Sequence, residues 1–261
     1  MSQPPARSSE PRVALISGAS MGIGQAIAER LAREGFRVAL LALPSPELDA
    51  AVAAIGPQAI AVPCDLSDPD QPAQAVEAAR QWGGRLDVLV NSASATKGGD
   101  VFAVSDAEWV MGFQVKVFGA LRLMRAAWPH LAAARGAIIN IAGVAARTPQ
   151  DQTAMTSALS SSLLALTKVF ADRGVSEGVR VNAINPGPVL TPRILAQIDA
   201  RAKAGGTTRE ALVAGMVRDV RAMRIGMPED VADLAAYLLS PGADLLHGSI
   251  IDLDGGMTKG L

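Results

Sequence analysis

Three groups of residues have the types and spacing to do chemistry. The first is the turn Ser17-Gly18-Ala19-Ser20-Met21-Gly22-Ile23-Gly24, set between the apolar run Val13 to Ile16 and the helical pattern Gln25 to Leu31. Glycine permits positive φ and close backbone approach, and free N–H groups at a helix start attract phosphate. Strand, glycine turn and helix in that order predict a pyrophosphate cradle. The second is Lys116, whose neighbours at helical spacing are Trp109, Gly112, Phe113, Gly119, Ala120 and Leu123. An ammonium is costly to bury unpaired, so this lysine either points into a cleft or has a partner. It reads as a carboxylate anchor, as an amine nucleophile of lowered pKa, or as a snorkelling side chain that fills space. The third is the hydroxyl run Thr153, Thr156, Ser157, Ser160, Ser161 and Ser162, in which Thr156 and Ser160 share a helix face. Such residues line a polar pocket or let helices pack closely at a subunit interface.

The elements that must position these groups follow from periodicity and breakers. Buried-strand runs recur at Phe36 to Leu41, Ala59 to Val62, Leu86 to Val90, Ala137 to Ile141, Val179 to Ile184 and Ser249 to Leu253. Helical patterns lie between them. Ser45-Pro46 starts one that ends at Gly56-Pro57, and Asp70 to Trp82 is another. Ser105 and Glu108 make a capping box that opens a helix to about Arg125, with Pro129 just beyond, and Gln152 to Arg173 forms the next. Thr191 to Gly226 is irregularly helical around Gly205-Gly206, which suits a lid, and Pro228 starts a last helix ending near Ser240. Alternating β and α implies one doubly wound, mostly parallel sheet with helices on both faces. Residues 1 to 11 are polar and proline-rich and read as a disordered tail before a single domain from residue 12 to 261.

Bulk composition excludes several functions. With 24 basic and 25 acidic residues the net charge is −1, which gives no field for nucleic acid or an anionic membrane surface. No apolar run approaches the ~18 residues of a membrane span. The lone Cys64 allows no internal disulfide and fits a reducing cytoplasm, and His130 and His247 lack the partners of a metal site. No metal is expected.

Several ordered motifs then resemble the short-chain dehydrogenase/reductases, nearest to their 3-oxoacyl-acyl-carrier-protein reductase branch. They are the glycine turn, Cys64-Asp65-Leu66, Asn91-Ser92-Ala93, Val181-Asn182-Ala183-Ile184-Asn185-Pro186-Gly187 and Asp252-Leu253-Asp254-Gly255-Gly256, spanning about Arg12 to Thr258. The resemblance implies a Rossmann sheet of about seven strands, a dimer or tetramer built partly through two long helices, and NAD or NADP as cofactor. Carried over, Gly18, Ser20, Gly22, Ile23 and Gly24 would hold the pyrophosphate, Asp65 and Leu66 the adenine, and Asn91 and Ala93 the ribose region. Pro186, Gly187 and Thr191 would face the nicotinamide.

The same alignment shows departures at the chemical positions. The family's Tyr-x-x-x-Lys falls on Thr156 and Ser160, its catalytic serine on Gly143 and its asparagine on Lys116. A phenol near pKa 10, lowered by an adjacent ammonium, donates a proton near neutrality, whereas a threonine hydroxyl does not. Gly143 offers no side-chain donor to a carbonyl. The end of the second strand carries Ala42 and Leu43, neither the acid that reads NAD nor the arginine that reads NADP, so weak dinucleotide affinity is expected.

Three functional readings follow. The chain is a non-catalytic subunit that pairs with an active relative or with itself; or it is a divergent NAD(P)-linked or non-redox enzyme using Lys116, Thr156 and Ser160 on a small molecule; or it is a nucleotide sensor. In the second, Lys116 restores from the opposite helix the charge missing at Ser160.

Overall fold

The computed structural model describes residues 10–260, so most of the expected tail lies outside the described residues. Seven strands form one parallel sheet: β1 (Val13–Ser17), β2 (Arg37–Ala42), β3 (Ala59–Pro63), β4 (Val88–Asn91), β5 (Ala137–Ile141), β6 (Arg180–Pro186) and β7 (Ile250–Leu253). Their spatial order is β3-β2-β1-β4-β5-β6-β7. Both faces of β1 are buried because its residues alternate between two cores. Ala14 and Ile16 join the cluster containing Ile27, Leu31 and Val231, and Val13 and Leu15 join the one containing Val76, Leu123 and Met124. Each fully buried Leu or Ile contributes roughly 1.5–3 kcal/mol.

Strand order reverses between β1 and β4, which opens a crevice beyond their carboxyl ends where open α/β sheets take ligands. The register Ser17↔Asn91↔Asn140 puts three polar side chains in a row at that edge. Ser17 Oγ accepts from the N–H groups of Ser92 and Ala93, and Asn91 Nδ2 donates to Asn140 Oδ1 at 2.8 Å. Asn140 Nδ2 passes the chain on to Thr167 Oγ1 at 2.9 Å.

Helices α1 (Gly22–Arg33), α2 (Pro46–Ile55) and α3 (Gln71–Gly83) agree with the sequence pattern. The capping box is present: Ser105 Oγ accepts from Glu108 N, and Glu108 Oε2 accepts from Ser105 N at 2.9 Å. The helix it opens differs in two ways from expectation. It is α4 (Asp106–Gly112), a π-helical stretch Phe113–Phe118, and α5 (Gly119–Ala134) in series, and it contains Pro129 rather than stopping before it. Proline at that position forfeits one backbone bond. Burial of Trp128 and Leu131, with Trp128 Nε1 donating to Glu177 at 2.6 Å, outweighs that loss.

The next helix, α6 (Ala154–Glu177), is longer than the expected Gln152 to Arg173. It is long and apolar enough to cross a membrane by length and composition, contrary to the sequence reading, but it packs as a core helix against β6. Its hydroxyl run is divided: Ser157 and Ser162 bond back to Thr153 and Ala158 carbonyls, while Ser161 is exposed. Beyond β6, α7 (Pro192–Gly205) and α8 (Arg209–Val220) pack on each other, and α9 (Pro228–Leu238) covers α1. Arg209 pairs with Asp199 and Arg224 with Asp230. His247 bonds Val181 N through Nδ1 and Ala171 O through Nε2, the structural role expected of it.

Candidate functional site

A cavity of about 650 Å³ lies in the crevice, walled by the turn after β1, the loops after β4, β5 and β6, and the start of α7. Its floor is the glycine turn. Gly18 has φ +67°, and a Cβ there would lie 2.7 Å from Ala93 Cα. A Cβ on Gly24 would lie 2.3 Å from the carbonyl oxygen of Gly18, closer than any real contact, so the α1 N-terminus folds onto β1 only with glycine here. No side chain caps that N-terminus, which leaves its first N–H groups to the cavity. An uncapped helix start over a close-packed glycine turn fits a dinucleotide pyrophosphate.

Of the residues expected to meet a cofactor, Gly18, Ser20, Gly22, Ile23, Gly24, Pro186, Gly187 and Thr191 line the cavity. Thr191 also caps α7, accepting from Ile194 N at 3.4 Å. Asp65, Leu66, Asn91 and Ala93 do not line it. Leu66 is buried in the core, and Asp65 is engaged locally, its Oδ1 accepting from both N and Oγ of Ser67. Asn91 is buried in the sheet-end polar row, with its Oδ1 lacking a partner. Ala93 backs the glycine turn instead of facing the cavity.

Gly143, Thr156, Ser160 and Lys116 come together at the inner end. Gly143 follows β5, and a Cβ on it would sit 3.3 Å from Ser160 Oγ and 3.9 Å from Thr156 Cγ2. Gly143 and Thr156 line the cavity, and Ser160 lies behind them, wholly buried and with its hydroxyl unpartnered. Lys116 reaches the same place from the π-helical stretch, donating from Nζ to the Ala142 carbonyl at 2.9 Å. A π turn shifts side chains around a helix relative to regular α spacing, and such turns recur at functional sites.

Lys116 is only 5% exposed and lines the cavity, which corrects the snorkelling reading: its head is buried rather than carried to solvent. Burial pushes its amine down to about 8. Among the described residues Lys116 and Arg193 are the only charged ones that line the cavity, and neither is acidic. The wall therefore presents cations, N–H groups and hydroxyls to whatever enters.

Sequence reading missed part of this wall. Ser92 and Ser94 were visible as the residues after β4, whereas Thr148, Gln150 and Met257 come from loops without a periodic signal. Asn185 was also overlooked. It accepts from Gly143 N at 2.9 Å and donates to Asp252 at 2.7 Å, and Asp252 in turn pairs with Arg147, so this chain fixes the Gly143 turn. The one tyrosine, Tyr237, is half exposed on α9, close to Gly242 and outside the cavity.

Comparison with known proteins agrees with this architecture. A family model described as enoyl-(acyl carrier protein) reductase matches residues 18–258. An uncharacterized oxidoreductase of Methylorubrum extorquens is 35% identical over 252 residues, covering 95% of this chain and 98% of that one. The L-sorbose reductase of Gluconobacter frateurii, solved with NADPH and L-sorbose, superposes with a TM-score of 0.91 at 30% identity, covering 97% and 98% of the two chains. A 3-ketoacyl-(acyl-carrier-protein) reductase from Brucella melitensis, solved with NADH, gives 0.83 at 30% identity over 96% and 99%. The chain belongs to the short-chain dehydrogenase/reductases, in the family described as enoyl-(acyl carrier protein) reductase.

Proposed function

We propose that this chain keeps the family's dinucleotide-binding scaffold without its carbonyl-reducing machinery, and serves as a non-catalytic subunit, paired with itself or with an active relative. One observation carries the reading: Gly143, Thr156, Ser160 and Lys116 meet at the inner end of the cavity with no phenol among them. Gly18, Gly22 and Gly24 hold the pyrophosphate against the α1 N-terminus, and Pro186, Gly187 and Thr191 lie where the nicotinamide end would rest. A bound NAD(P)H supplies a hydride donor. The chain's own residues then lack a hydroxyl acidic enough to protonate the developing alkoxide, because the hydroxyls of Thr156 and Ser160 are far weaker acids than a phenol. In this reading α7 and α8 form the lid of the single domain.

A second reading is favoured by Lys116. An amine buried against the cavity and held near 8 is poised to donate a proton near neutral pH, so a divergent NAD(P)-linked enzyme would use it in place of the phenol. The two readings separate in one experiment: thermal unfolding with NADH and NADPH, followed by assay with ketones. Ligand at about 100 times its dissociation constant stabilises by about 2.7 kcal/mol. Stabilisation without turnover supports the first reading. Turnover that disappears in Lys116→Met supports the second.

A further inference from the structure

We propose that the inner end of the cavity is an anion subsite that takes the carboxylate of a small organic acid, held by the Lys116 ammonium and the Thr156 hydroxyl with Ser160 behind them. The proposal rests on the reading that this end no longer houses the redox residues.

Three observations lead to it. Lys116 is almost wholly buried, yet its Nζ has one hydrogen bond, to a neutral carbonyl, and no ion pair among the described residues. An ammonium has three donors, so the remaining two lack acceptors among the described residues, and a charge in this setting is costly until a counter-charge arrives. Among the described residues no acidic side chain lines the cavity, so a ligand carboxylate is the counter-charge that suits this wall. Ser160 Oγ, fully buried and unpartnered, faces the space that a side chain on Gly143 would fill. An ammonium with unmet donors on the cavity wall, and an unpartnered buried hydroxyl behind Gly143 and Thr156, match a carboxylate, which accepts at both oxygens. The desolvated state of the amine, near 8 without a ligand, agrees with the absence of any charged neighbour acting on it.

The test titrates sodium acetate, with acetamide as its neutral counterpart, into the full chain without dinucleotide, reading affinity by NMR line shifts in chloride-free buffer. Saturable acetate binding that acetamide does not reproduce is expected. Lys116→Met should weaken it about tenfold or more, since a charge-assisted bond is lost. Thr156→Val and Ser160→Ala should each weaken it several-fold, and they decide the matter if Lys116→Met does not fold. Equal binding of acetate and acetamide, displacement of acetate by equimolar chloride, or unchanged affinity in all folded variants would overturn the proposal. A parallel NADH titration keeps the two readings apart: loss of NADH binding with acetate binding intact overturns the dinucleotide reading alone.

Discussion

Lys116 Nζ donates to the carbonyl of Ala142 at 2.9 Å, joining the π-helical stretch before α5 to the end of β5. Through that bond the lysine stands near Gly143, where a Cβ would lie 3.3 Å from the unpartnered Ser160 Oγ. Lys116, Gly143, Thr156 and Ser160 are therefore one spatial cluster, and they can be tested as a unit.

Lys116 ties stability to pH. Its amine is lowered in the folded chain to about 8 from 10.5, so the unfolded chain binds that proton more tightly. The cost of burial is fully present below about pH 8, and stability rises as pH climbs from there towards 10.5. The gain is on the order of 3 kcal/mol at most. Urea unfolding of the native chain and Lys116→Met at pH 7.5 and 10 checks this: the native chain should gain relative to the variant. A constant difference would show that the amine is not buried as described.

Gly24→Ala should break the cradle. The new Cβ would meet the Gly18 carbonyl at 2.3 Å, which forces the α1 N-terminus away from β1. A loss of about 1–3 kcal/mol is expected, together with loss of NADH and NADPH binding. Full stability and unchanged affinity would refute the role given to this turn.

The quadruple variant Lys116→Asn, Gly143→Ser, Thr156→Tyr and Ser160→Lys replaces the whole cluster with the residue types that the family resemblance implies for these positions. If chemistry alone was lost and the scaffold is intact, the variant should gain NAD(P)H-dependent reduction of simple ketones where the native chain has none. A folded variant that binds dinucleotide and still shows no turnover would place the defect elsewhere.

The long helices carry exposed apolar residues suited to subunit contact: Val110 and Phe118 on one, and Val169 and Val175 on the other. Sedimentation velocity should show a dimer or tetramer, and Val169→Glu with Phe118→Glu should shift it towards monomer. A native monomer would contradict pairing of the chain with itself and leave only pairing with an active relative.

Strand positions and the parallel sheet were legible because parallel strands buried on both faces leave largely apolar runs, as in Val88–Asn91 and Ala137–Ile141. The glycine turn was legible from its spacing alone. Pro129 misled because a single proline signals a stop, while burial of Trp128 and Leu131 keeps the helix going. The π-helical stretch left no periodic trace, so Lys116 could be flagged by its apolar neighbours but not aimed. Thr148, Gln150 and Met257 reach the cavity from irregular loops, whose course is set by tertiary packing. Asp65 and Asn91, carried over by motif, proved to be engaged with Ser67 and Asn140.

The most direct test of the central claim mixes the native chain with stoichiometric NADPH or NADH and follows the fluorescence of the bound reduced nicotinamide as a ketone is added. With the cofactor then raised to saturation, the account expects an enhanced signal on binding that persists, because the cradle holds the cofactor and no phenol completes the reduction. A signal that decays at a rate set by the ketone would show turnover and contradict it.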